Sequence, residues 1–321
     1  MRNLRFWLVV GAAGAACTLG VGTARVWGQE EGKIPNVRRY EQSACPMGDP
    51  VPLRACAREQ MKTFTPPRTP EGKPDLSGYW NGTQPWYENL EAHPNTWNDN
   101  GGPSFIVDPP DGKLPIRPWA AAHLVEKNAR YIDHNVQCFP SGVPRHLYSG
   151  NSHQFIQTPT KFVMLSEEAN AYRIVILDGR PHVGRDIPLW QGDSRGRWDG
   201  NTLVIETRNQ NGRAWIDQKG RFLTEAAIVT ERFTMFDKSS LLWEITIDDP
   251  LVYTRPFTMA AGMRRNLRPN PELWEEACYE GEASAEDMRG LGYRTTPGIS
   301  AREAQMRKEA YERAMSGAPV Q

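Results

Sequence analysis

The sequence predicts a mainly β protein, an antiparallel β-barrel or sandwich with a few peripheral helices. Three observations lead there. Residues 192–257 alternate strand-like runs with turn signals and hold the largest share of the β-branched and aromatic side chains. Asp199-Gly200 sits between two such runs, and glycine accepts the positive φ of a tight hairpin turn. The 28 glycines and 26 prolines suit many short strands better than long helices.

The first hairpin joins residues 194–198 to 202–207; a loop of two and a loop of three residues both fit, and they differ by one in register. In the second, Asp237-Lys238-Ser239-Ser240 joins residues 228–236 to 241–247. Pairing Phe236 with Leu241 puts Thr234 opposite Trp243, and gathers Glu231, Phe233 and Met235 with Leu242, Glu244 and Thr246 on the other face. A barrel whose lumen takes a ligand would look like this, and so would a sheet with one wet face. Asp248-Asp249-Pro250 ends that strand, and residues 252–259 resume as another, with Pro256 marking an edge or a bulge.

Upstream, residues 1–28 have the form of a signal peptide, with Arg2 and Arg5 before an apolar run broken by Gly and Ala. Its removal leaves no expected membrane span. It also takes 38 basic residues to 35 against 38 acidic, a net of −3. With no basic block, neither nucleic acid nor an anionic membrane surface is an expected partner. Export makes disulfides the expected state of Cys45, Cys56, Cys138 and Cys278; of the three pairings, Cys45–Cys56 and Cys138–Cys278 are favoured. No Cys-x-x-Cys or Cys–His spacing suggests a metal site.

Residues 29–73 are polar and proline-rich and read as an extended arm. Residues 74–291 form one β domain, and 292–321 a tail with a surface helix opened by the capping box Ser300-Ala301-Arg302-Glu303. Within the domain, residues 118–131 are the best helix, and 154–158, 162–166 and 171–177 are strands. Gly78-Tyr79-Trp80 resembles the entrance strand of a lipocalin, which puts a lipocalin-like barrel among the options. Asn81-Gly82-Thr83 is a glycosylation sequon by pattern.

Several motifs follow one another in a fixed order: TPEGKPDLSGYW, CFPSGVPR, QFIQTP, LDGRPH, GDSRGRWDGNTLVIET, VTERF and EITIDDPLVYTRPF. In this the chain resembles, over about residues 69–291, a large family of uncharacterised exported bacterial proteins. The resemblance implies a secreted, mostly β domain and no particular activity. The chain departs from the family at Arg221-Phe222-Leu223-Thr224, where members often carry a His-Ser or similar pair, and residues 44–57 look like an addition.

For chemistry, His182 follows a turn near Asp193, and a His poised by a carboxylate is the usual general base near neutrality. Glu206 and Glu231 are strand carboxylates that could converge for acid/base hydrolysis. The nearby arginines could equally neutralise them as structural pairs. Trp86, Trp97 and Trp190, with Tyr253, offer flat apolar faces for a small ligand, and Arg180 and Arg255 could hold an anionic group. No phosphate loop, dinucleotide fingerprint or haem attachment motif appears, so no cofactor is expected. Three readings follow: a periplasmic or secreted barrel binding a small aromatic or sugar-like molecule, a hydrolase or lyase on the same scaffold, and a structural module of an envelope complex. Oligomeric state is not legible.

Overall fold

A computed structural model describes residues 40–82, 89–96, 101–148, 150–276, 287 and 290–316. Nine strands close into a barrel: β1 (Gly78–Gly82), β4 (Ser152–Gln157), β5 (Lys161–Ser166), β6 (Tyr172–Ile176), β7 (Asp193–Asp199), β8 (Thr202–Arg208), β9 (Ile228–Met235), β10 (Ser240–Asp248) and β11 (Phe257–Arg265). They neighbour one another in that order, and β1 pairs with β11 to complete the ring. A short β2 (Ile106–Asp108) adds to β11, and β3 (Tyr131–Ile132) pairs with β12 (Arg294–Thr295) apart from the barrel. An odd number of strands cannot alternate in direction all the way round. The mismatch falls between β6 and β7, which run parallel while every other neighbour in the ring is antiparallel. A parallel pair needs a long crossover. Here residues 177–192 supply it, outside the barrel.

Both hairpins resolve their register. Asp199 pairs with Thr202, so the first loop is Gly200-Asn201, with Gly200 at φ 58°. In the second, Leu241 pairs with Met235 and Trp243 with Phe233, one residue from the expected pairing. Phe236 N–H bonds to Ser240 O at 3.2 Å, and the Asp237 carboxylate accepts from Ser239 N at 2.8 Å, so three residues turn the corner instead of four. The slip moves Glu231 to the inner face and leaves Glu244 on the outer one, so the two do not share a face as expected. The last long strand starts at Phe257, beyond Pro256, because residues 249–253 close a turn in which Val252 N and Tyr253 N bond to Asp249 O.

The lumen expected to take a ligand is filled. Trp80, Phe155, Phe162, Phe233 and Trp243 are fully buried and in ring contact, with centroids 5.2–6.2 Å apart. Asn81, on the opposite face of β1 from Trp80, is buried too, and its side-chain amide donates to Ser152 Oγ at 2.9 Å, so the nitrogen of the sequon is already engaged.

Among the described residues, three helices have defined bounds, and they lie outside the barrel. The arm is not extended throughout: α1 (Pro50–Gln60) starts at Asp49, whose carboxylate accepts from Val51 N, with proline in the first turn. Its Leu53 and Ala57 pack, with Cys45 and Met47, on Phe236, Leu242 and Ala260 of the barrel wall. Arg54 and Arg58 both reach Glu244, at 2.7 and 2.8 Å, and Cys45–Cys56 is bonded. Cys138 is also disulfide-bonded, and Cys278, its expected partner, lies outside the described residues. Helices α2 (Pro118–Asn128) and α3 (Ala301–Ser316) are joined by Arg307–Glu126, and Ser300 Oγ caps Glu303 N as the capping box requires. Among the described residues no helix is long and apolar enough to cross a membrane.

Candidate functional site

The crossover positions the site. It is laid against the end of β8 by Leu189 N to Asn209 O at 2.7 Å, Asn211 N to Leu189 O at 3.1 Å, and the Asn209 amide to Gly184 O at 2.7 Å. It comes so close at Gly192, φ 67°, that a Cβ there would stand 2.6 Å from Thr207 Cγ2 and 2.8 Å from Arg208 O.

His182 thereby drops onto the outward faces of β7 and β8, where register sets Arg195 opposite Glu206 and Asp193 opposite Arg208. Its Nδ1 is 2.8 Å from Asp193 Oδ2 and its Nε2 3.2 Å from Glu206 Oε1. Asp193 also accepts from Val183 N at 3.0 Å and from Arg195 at 2.6 Å, and Glu206 accepts from Arg208 Nε at 2.7 Å. The Arg208 hydrogen bond is the largest influence holding Glu206 below its ordinary carboxylate range, helped by the charges of Arg208 and His182. Glu206 is therefore an acceptor at neutral pH. Both ring nitrogens of His182 face carboxylates, so a proton-transfer role would require Glu206 to move aside.

Three of the four residues expected to do acid/base work thus meet: His182, Asp193 and Glu206. Glu231 does not join them. It faces the barrel interior with 0% exposure, while Glu206 faces out, so the two carboxylates lie on opposite sides of the wall. Glu231 pairs with Arg173, which also donates to Ser194 Oγ at 2.9 Å and Thr207 Oγ1 at 2.7 Å. His146 and His153 are buried as well, and burial pulls His153 down to about 4 and His146 well below 6.5. Among the described residues no group of His, Cys, Asp and Glu is arranged to hold a metal ion. Arg173 was not legible: Tyr172, Ile174 and Ile176 form the more apolar phase of β6, so the alternation by itself turns Arg173 outward, whereas the structure buries it with Val175.

The residues expected to touch a ligand are dispersed. Trp86 and Trp97 lie outside the described residues. Tyr253 is a core residue, packed edge-on to Phe257 with its hydroxyl on Phe222 O at 3.2 Å, and so is not available to a ligand. Arg255 pairs with Asp108 at 2.5 Å beside β2, and Arg180 forks Asp178 at the start of the crossover. Trp190 does line a recess of about 400 Å³ on the outer wall, together with Pro140, Tyr172, Ile174, Leu189 and Gln191. Its ring stacks on Phe139 with centroids 5.0 Å apart, and its Nε1 donates to Pro140 O at 2.5 Å, which holds it rigid. Tyr172 projects into solvent at 66% exposure, because β6 alternates outward Tyr172 and Ile174 with inward Arg173 and Val175. No signal in the sequence pointed to this, since the apolar phase of a strand is ordinarily its buried one.

No family model matches the chain, and no curated protein does. Among solved structures it is similar to the crystal structure of a secretary abundant heat soluble (SAHS) protein from Ramazzottius varieornatus, at 9% identity and a TM-score of 0.27, over 60% of this chain and 95% of that one. The barrel described above rests on its own strand pairing.

Proposed function

We propose that the protein is an exported β-barrel, of the bacterial family its motifs resemble, that binds a small aromatic or sugar-like molecule on its outer wall, in the recess beside Trp190. The observation that carries this is a rigid tryptophan beside exposed apolar side chains, Tyr172, Ile174 and Leu189, in a concave site of about 400 Å³. The Gln191 side chain lines the same recess, and among the described residues its amide has no hydrogen-bond partner. The Cys45–Cys56 bond suits an oxidising compartment. Titrating the protein with indole, phenol and methyl glucoside, followed by tryptophan fluorescence, tests the reading. Saturable binding by at least one of them, weakened about tenfold or more in Trp190→Ala, is expected. Binding of equal strength in that variant would refute it.

A second reading, a hydrolase or lyase, draws on His182 held between Asp193 and Glu206. In that case His182→Ala removes turnover of glycoside and ester substrates while leaving ligand affinity in place. Residual turnover at the parent rate in that variant excludes His182 as the base.

A further inference from the structure

A second recess, of about 410 Å³, is lined by other residues of the crossover. Arg185 and Asp186 come from the crossover, Arg208, Asn209 and Gln210 from the end of β8, and Glu225 from the approach to β9. Gln210 is only 3% exposed, and among the described residues its Nε2 has no acceptor. An amide buried with an unused donor is costly unless something supplies an oxygen. Arg208 commits its Nε to Glu206, and among the described residues nothing else bonds its guanidinium. Arg185, Asp186 and Glu225 make no ion pair among the described residues.

From this we infer a binding site for a small hydroxy-carboxylate, a sugar acid in type, distinct from the recess beside Trp190. The guanidinium nitrogens of Arg208 and Arg185 with the Gln210 amide present a cluster of N–H donors to one carboxylate. Asp186 and Glu225 on the same rim repel a polyanion and accept hydrogen bonds from hydroxyls, so the ligand carries a single negative charge and several O–H groups.

Calorimetric titration of the full chain with D-gluconate tests the site, with D-sorbitol and inorganic phosphate as comparisons. Gluconate is expected to bind saturably at one site, sorbitol not at all, and phosphate more weakly. Arg185→Ala and Gln210→Met should each weaken gluconate about tenfold or more. Gln210→Met should also leave the ligand-free protein as stable as the parent or more so, because it removes the unused donor. Trp190→Ala should leave gluconate affinity unchanged, whatever it does to aromatic ligands. The inference is overturned if gluconate does not bind, if phosphate binds as tightly, or if either Arg185→Ala or Gln210→Met retains the parent affinity. Loss of gluconate binding in Trp190→Ala would overturn it too, by placing the ligand in the other recess.

Discussion

Arg173 and Glu231 meet inside the barrel with both side chains shut off from water. Such a pair contributes little net stability, since desolvation offsets the attraction, yet either partner alone is a buried charge. Glu231→Leu should therefore cost about 3–5 kcal/mol, while adding Arg173→Met should recover most of the loss; denaturant unfolding of the two variants checks this. If Glu231 were the catalytic carboxylate its strand position suggests, activity and not stability would be the first casualty. The outer cluster behaves differently: Arg208 and Glu206 are both more than a third exposed, so their bond orients Glu206 more than it stabilises the fold.

Among the elements, the crossover and the first hairpin each turn on one glycine, for different reasons. At Gly200, φ 58°, a Cβ would meet nothing within 4 Å, so Gly200→Ala pays only for the left-handed backbone, about 1 kcal/mol. At Gly192 the Cβ would also strike Thr207 and the backbone of Arg208. Gly192→Ala should cost several times more than Gly200→Ala, measured as the drop in melting temperature, because the crossover must lift from β8. Equal costs would mean that the crossover is not held down there. The same comparison shows why turn chemistry was readable and the crossover was not. Asp-Gly announces a local backbone conformation, whereas the closeness of Gly192 to Thr207 depends on a strand fifteen residues further on.

At the scale of the whole molecule, buried ionisable groups tie stability to pH. Burial pulls His134 and His153 down to about 4 and His146 well below 6.5, so the unfolded chain takes up protons below pH 6.5 that the folded one refuses. Their contribution is complete above pH 6.5 and is lost as pH falls toward 4. Glu168 acts in the opposite sense: burial raises it to about 7, so its contribution is present below about pH 4.5 and is lost as pH rises to 7. His123 is lowered by burial as well and Asp249 is raised. Four histidines outweigh two carboxyls, so the melting temperature should fall from pH 6.5 to 4.5, and fall more steeply in Glu168→Gln. A flat or rising profile over that range would show that these histidines are not shut off from solvent.

The sequence by itself determined the strand content, the two hairpins in the spine, the capping box of α3 and the meeting of His182 with Asp193, because each depends on residues within about a dozen positions of one another. Closure, by contrast, was settled only in three dimensions. Nine strands force one parallel neighbour, that neighbour forces an external crossover, and the crossover moves every exposed recess described here to the outside of a solidly packed wall. Register made the remaining decision: a single residue more or less in a turn sends Glu231 inward to Arg173 and leaves Glu206 outside with His182, and no local propensity distinguishes the two.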